Sequence, residues 1–495
     1  MNDTVNTPTD PLLAGRLEHH REILESGGYP ASYTRTHLAA EVGDQFGELG
    51  PGEETDTTVS VAGRVMLYRS FGKLQFATLQ DVSGTIQLFV DSSTVGEDGA
   101  AEFARVDLGD WVGATGTVMT TRKGELSVRV RRFELLQKSL KSLPDKYHGL
   151  QDVELRSRRR YLDLMVNEES RQVALTRAAI VSELRKQFES RGFVEVETPV
   201  LLTQATGATA RPFETDHHAL DLHMYLRIAT ELYLKRLVVG GLERVFEIGR
   251  IFRNEGIDST HNPEFTMLEA YLALADHTDV MSLVEDVLAA VAARVVGGTT
   301  INYQGRDLDM SAPYRRATMS ELVSAHIGEE VSVDTPARHL IELARSGGVE
   351  VEEDWPPGRL IAAIYEEKVE DQIWDPTFVT EFPVEVSPLA RRNAQDPRLV
   401  DRFELVIAGS EYVNAFSELN DPEDQRRRFE DQHVARDAGD LEAHPIDEDY
   451  LLALEYGLPP TGGLGIGVDR LVMLLTDQSH IREVILFPTL RPQTD

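Results

Sequence analysis

The stretch Gly249-Arg250-Ile251-Phe252-Arg253-Asn254-Glu255-Gly256, followed closely by His261-Asn262-Pro263-Glu264-Phe265-Thr266-Met267-Leu268-Glu269, constrains this chain more than any other. Two apolar runs joined by a polar, glycine-bearing turn bury their apolar faces by pairing as a β-hairpin. This hairpin carries an arginine, an acid, a histidine and an aromatic ring. Arg253 offers a planar fork to a phosphate, and Phe265 a face on which a purine can stack. For an isolated Arg-x-Glu a solvated surface hairpin is the plainer reading. The length of this string and its downstream partner, Gly463-Leu464-Gly465-Ile466-Gly467-Val468-Asp469-Arg470, weigh against it.

At 495 residues the chain has room for two or three domains, each with its own core. It has no cysteine, which excludes disulfides, thiolate metal sites and a cysteine nucleophile. No uninterrupted apolar run reaches the length of a bilayer span, and Met1-Asn2-Asp3-Thr4 lacks a basic region followed by an apolar stretch. A soluble, cytoplasmic protein without membrane contact is expected. The net charge of −33 argues against a polyanionic partner until its distribution is read. Residues 1–60 hold 3 Lys or Arg against 11 Asp or Glu, but residues 61–148 hold 12 against 10, and Arg156-Ser157-Arg158-Arg159-Arg160 follows. One end of the chain is therefore fit to meet nucleic acid.

Residues 1–56 read as a polar, partly helical extension, with helical spacing from Leu17 to Leu24. Residues 57–140 alternate as five short strands, Val59–Val65, Phe76–Asp81, Thr85–Val90, Trp111–Met119 and Glu125–Phe133, which suggests a small closed barrel of the OB type. Residues 141–165 read as a charged linker. Residues 166–495 mix long helices with strands as an α+β domain, with a less legible insertion at about 276–400. Within it, Val173, Ile180, Leu184 and Phe188 fall at helical spacing between Glu169 and Arg191, Gly192 ends that helix, and Val194–Pro199 follows as a strand.

The hairpin and the Gly463–Arg470 run resemble motifs 2 and 3 of the class II aminoacyl-tRNA synthetases. The helix–strand–Pro199 unit resembles motif 1, and the surrounding residues are similar to the lysyl branch, from about Arg64 to Pro492. The resemblance implies an antiparallel β-sheet core flanked by helices, an N-terminal OB-fold for the anticodon of tRNA(Lys), and a homodimer. It also implies an ATP-dependent ligation of L-lysine to that tRNA through lysyl-adenylate, with Mg2+ bound alongside ATP. Such chemistry needs no nucleophilic side chain, because the substrate carboxylate itself attacks the α-phosphorus once it is positioned and its charge neutralised.

Residue roles follow from the same resemblance. Arg253 would meet the α-phosphate and the substrate carboxylate, and Arg470 the γ-phosphate; Glu255 and His261 would lie along ATP, with Phe265 under the adenine. Glu404 and Glu411 would hold magnesium. Glu231 would take the α-amino group, Asn414 the carboxylate and Phe416 the aliphatic stem, in a pocket that includes Gly207. Glu269, Tyr271 and Glu418 would face the side-chain ammonium, which must be paired because an unpaired buried charge costs several kcal/mol, roughly. In the barrel, Arg69, Phe76, Gln87 and Glu125 would read the anticodon. Two residues depart from the family pattern: Thr230 stands where proline is expected and Gly462 where alanine is more usual. The rivals are an aspartyl or asparaginyl specificity, a paralogue that modifies elongation factor P, and a catalytically silent RNA-binding paralogue. The paired acids, the barrel region and the intact arginines speak against them in turn.

Overall fold

In the computed structural model, which describes residues 11–144, 150–204, 206–208, 210–437 and 446–492, the chain divides into two units, Met1–Gln151 and Asp152–Asp495. Period-two patterning in the first unit becomes five strands: β1 (Glu54–Phe71), β2 (Leu74–Gln80), β3 (Thr85–Asp91), β4 (Trp111–Thr120) and β5 (Leu126–Gln137). They close into a barrel in the order β1-β2-β3-β5-β4. The inward residues are aliphatic and mostly small or β-branched, among them Val59, Val61, Ala77, Val112 and Val128 with Leu79 and Leu88, which suits a narrow barrel. The helices Pro11–Glu25 and Ala39–Phe46 precede it. A third helix, Ser92–Phe103, lies between β3 and β4 and buries Phe103 in the barrel core. Its Ser- and Gly-rich sequence hid it from periodicity.

The second unit contains β6 (Val194–Glu195), β7 (Leu201–Leu202), β8 (Glu214–His217), β9 (Leu222–Leu226), β10 (Arg244–Phe252) and β11 (Glu264–Ala273). Next come β12 (Thr300–Tyr303), β13 (Arg306–Asp309), β14 (Arg315–Thr318), β15 (Thr377–Pro383), β16 (Leu399–Ile407), β17 (Ser410–Ser417) and β18 (Thr461–Gly467). Eight of these form one sheet, ordered β14-β15-β16-β17-β18-β11-β10-β6. The expected hairpin is β10–β11, with Ile251 opposite Phe265 and Glu247 opposite Glu269. Pairing is antiparallel through the middle of the sheet and parallel at both edges, β6 with β10 and β14 with β15. The helix Glu168–Ser190 buries Val173, Ile180, Leu184 and Phe188, and Gly192 follows at φ +81°. Phe188 stacks on Phe246 of β10, which ties this helix to the sheet.

Two expectations need correction. Residues 145–149 of the anticipated linker lie outside the described residues, but 153–158 and 160–166 are helices, held by Arg156 and Arg160 on the buried Asp163. Charge there is structural pairing rather than solvated linker. The supposed insertion also belongs in part to the main fold: β14 and β15 extend the large sheet, and a core of Leu322, Leu340, Leu360, Ile361, Tyr365 and Phe382 backs that edge. No described helix is long and apolar enough to cross a membrane.

Candidate active site

The face of the large sheet around β10, β11, β17 and β18 opens into two adjoining chambers of about 320 and 260 Å3. Both are lined by Arg253, Met267, Asn414 and Gly465, so these four residues form the shared wall.

The larger chamber is walled by Gly207, Glu231, Glu269, Tyr271, Asn414, Phe416 and Arg402. It collects side chains from the helix Glu231–Val239, from β11 and from β17, because Glu269 and Tyr271 point to one face of β11 and Asn414 and Phe416 to one face of β17. The glycines of β18 leave room for them: a Cβ at Gly463 would strike the Glu418 carboxylate and the Tyr271 ring, and one at Gly465 would lie 2.9 Å from Met267 Cε. Glu269 is buried, and burial followed by the neighbouring Glu231 carboxylate pushes its pKa up to about 7. Opposing that rise, the Thr230 backbone N–H donates to Glu269 Oε1 at 3.1 Å.

Glu418 differs from expectation. It is buried behind the chamber rather than lining it, and it pairs with the fully buried ammonium of Lys235. Lys235 Nζ also donates to Glu231 Oε1 at 2.5 Å and faces the rings of Tyr271, Phe416 and Tyr450 at 5.8–5.9 Å. Burial works against that ammonium, but Glu231 and Glu418 outweigh it and hold its pKa above the usual lysine value. Lys235 was not singled out in the sequence; its i,i+4 spacing from Glu231 on a helix was the available signal.

The smaller chamber is lined by Glu255, His261, Phe265, Glu411 and Arg470 together with Arg253. The Arg253 guanidinium lies 5.3 Å from the Phe265 ring centre, and its buried Nε has no hydrogen-bond partner among the described residues. Arg470 donates to the Glu411 carbonyl at 2.6 Å and lies 3.2 Å from His261 Nε2, whose ring is held through Nδ1 by Asp258. Asp469, which sequence reading passed over, accepts from the Thr266 N–H at 2.6 Å and from Arg177 at 2.5 Å. It thereby clips the helix Val468–Leu475, which carries Arg470, to β11 and to the helix Glu168–Ser190.

Glu404 and Glu411 lie on β16 and β17, joined by the tight turn Ala408-Gly409, both at positive φ. Only Glu411 lines the smaller chamber; Glu404 is buried against Arg402, which also donates to Asn414 Oδ1 at 3.1 Å. Burial, opposed by Arg402 and then reinforced by Glu411, Glu370 and Glu366, pushes Glu404 up to about 8. Glu370 rises to about 7 from burial and Glu411. Among the described residues no group of three or more acids or histidines is arranged as a ready metal cage. A cluster of mutually repelling carboxylates nevertheless suits a divalent cation that takes its remaining ligands from elsewhere.

In the barrel, Arg69 pairs with Phe76 across β1 and β2, and Phe76 with Phe89 across β2 and β3. These rings stand outside the barrel core: Phe71 is exposed and Phe76 half-buried, at 6.1 Å edge-to-face. Gln87 is largely buried, donating to Ser127 Oγ at 2.9 Å with Arg69 3.5 Å from its Oε1, while Glu125 is exposed.

A closed five-stranded barrel and a sheet bearing an arginine hairpin, with an acid-lined chamber beside it, define a class II synthetase architecture. The comparisons agree. Residues 152–491 match the family model described as tRNA synthetases class II (D, K and N), and residues 59–136 match that of the OB-fold nucleic acid binding domain. Similar proteins include the lysine–tRNA ligases of Gloeobacter violaceus, 52% identical over 98% of this chain and 99% of its own, and of Enterococcus faecalis, 52% identical over 97% of each. That of Nostoc sp. is 50% identical over 98% of this chain and 88% of its own. The chain belongs to the lysine–tRNA ligase family of class II tRNA synthetases.

Proposed function

We propose that this chain ligates L-lysine to tRNA(Lys) in two steps, as a cytoplasmic homodimer. The observation that carries this reading is the pair of chambers meeting at Arg253: one lined by buried acids suited to a cation, the other by arginines suited to a polyphosphate. Glu231 receives the α-amino group, and Glu269 with Tyr271 receives the side-chain ammonium, Glu418 reinforcing them from behind. Phe416 packs on the stem, and Asn414 and Arg253 orient the carboxylate beneath the α-phosphorus. A carboxylate oxygen then bonds to that phosphorus, the bond to the bridging oxygen breaks, and pyrophosphate leaves. Arg253 neutralises charge building on the α-phosphate and Arg470 that on the γ-phosphate; Phe265 supports the base, with Glu255 and His261 beside it. Glu404 and Glu411 would hold Mg2+, which supplies further neutralisation of the phosphates when bound. In the second step a hydroxyl of the 3′-terminal adenosine attacks the lysyl carbonyl and AMP departs.

The barrel supplies the anticodon surface, with Phe76 as a stacking ring and Arg69, Gln87 and Glu125 beside it. Aspartyl or asparaginyl specificity fits poorly, because three acids converge on the amino-acid chamber and Arg402 is already engaged by Glu404 and Asn414. Lysine-dependent exchange of pyrophosphate into ATP tests the reading: exchange with lysine but not aspartate is expected, and the reverse overturns it.

A further inference from the structure

An ammonium is already buried beside the acid chamber. Lys235 is fully buried and sits between the carboxylate that faces the chamber, Glu231, and the one behind it, Glu418. Every element packed around it contributes to its setting: Glu231 on its own helix, Tyr271 on β11, Phe416 on β17 with Glu418 just beyond, and Tyr450 on the helix Glu448–Glu455. Two carboxylates therefore converge on one resident cation, and Glu269, held by the Thr230 N–H, adds a third acid to the chamber. With that cation in place, and with all three acids ionised as they must be to pair with ammonium groups, two negative charges remain; free lysine brings two ammonium groups, at its α-carbon and at the end of its side chain. Its own carboxylate is left for Arg253.

We infer that Lys235 is a positioning residue that sets the charge of the amino-acid chamber, fixing Glu231 and Glu418 and leaving a deficit that a diamino acid, rather than a monoamine or a neutral amino acid, fills. The inference rests on the lysine-activating function proposed above. Lys235 touches the substrate's acids and not the reacting carboxylate or phosphate, so its removal acts on lysine binding and not on the chemical step. Without the ammonium, Glu418 and Glu231 repel each other in a buried place, and one of them takes up a proton or turns away.

The test is steady-state pyrophosphate exchange on the full-length chain bearing Lys235→Met, a neutral side chain of similar length. The expected result is a KM for lysine at least tenfold higher, with kcat and the KM for ATP within about threefold of the unsubstituted protein. An unchanged KM for lysine, or parallel losses in kcat and in the KM for ATP, overturns the inference. Since Met strands two buried carboxylates, Lys235→Met/Glu418→Gln provides a variant with one fewer to strand. Its KM for lysine should lie within about threefold of that of Glu418→Gln alone, because the two residues act through one contact; losses that multiply also overturn the inference. Absence of lysine-dependent exchange in the unsubstituted protein would instead dismiss the functional reading itself, so the two failures are distinguishable.

Discussion

The two chambers that share Arg253 are built on opposite principles. In the amino-acid chamber the polar groups are buried and bonded to one another: Glu269 to the Thr230 N–H, Glu231 and Glu418 to Lys235. In the nucleotide chamber Glu255 and His261 are exposed, Arg470 is partly so, and the Nε of Arg253 has no partner among the described residues. A small cation must be told from near neighbours, which takes fixed and desolvated partners; a polyphosphate is bound largely through charge, which side chains open to solvent can supply. The acid-lined side is thus fixed within the fold, whereas the arginine side stays more open to solvent.

Substitutions should separate the two chambers. Arg253→Ala, at their shared wall, should lower pyrophosphate exchange by about a thousandfold, roughly 4 kcal/mol, and Glu411→Ala should bring it to background without changing oligomeric state on gel filtration. Selective chelation of zinc should leave the activity of the unsubstituted protein intact. Retained exchange in either variant would erase the distinction drawn for the nucleotide side. Glu418→Gln, on the amino-acid side, should reduce lysine activation by at least about tenfold, or 1.4 kcal/mol, as a higher KM for lysine with the KM for ATP unmoved. A matching change in the KM for ATP would mean that the chambers are not independent.

Phe76→Ala tests a region that takes part in neither. Loss of a stacked base, about 1–3 kcal/mol, should weaken charging of tRNA(Lys) roughly tenfold and leave exchange, which needs no tRNA, unchanged. Equal loss in both assays would assign Phe76 to stability.

The smallest effect is protonic. Since burial and the Glu231 carboxylate push Glu269 up to about 7, it is partly protonated at neutral pH and must release its proton to pair with an ammonium. Lysine binding should therefore release about half a proton at pH 7 and almost none at pH 9, and the KM for lysine should fall as pH rises from 6 to 8. The sign for stability is opposite: with its folded pKa above the unfolded value, this group makes the ligand-free protein less stable as pH climbs from about 4.5 through 7. Calorimetry in buffers of different ionisation enthalpy measures the released proton, and a pH-independent value near zero would remove Glu269 from lysine recognition.

The β10–β11 hairpin and the five barrel strands were legible because period-two burial leaves a direct trace in residue order. Part of the lining of both chambers, including Glu231, Glu269, Arg253, Glu411 and Arg470, was legible through its motif context, whereas Arg402 and Asp469 were not. Three further parts were not. The helix Ser92–Phe103 has weak helix formers, and β14 is a short edge strand beside β15, the sheet membership of both depending on partners far along the chain. The placement of Glu418 behind the wall, with Lys235 between it and Glu231, follows from the packing of a helix against two strands, which local spacing does not encode. The sequence did show that Thr230 replaces an expected proline, but not what that exchange accomplishes.

That exchange has a practical consequence for anyone mapping the pocket. The contact it creates is a peptide N–H reaching Glu269 Oε1, and proline has no such hydrogen to offer. Alanine scanning would miss it, because Thr230→Ala keeps the peptide group intact. A backbone-directed change, Thr230→Pro or replacement of the amide by an ester, removes this lever on the acidity of Glu269, whereas side-chain truncation takes away only the smaller share of the hydroxyl, so tolerance of Thr230→Ala does not measure the importance of the position.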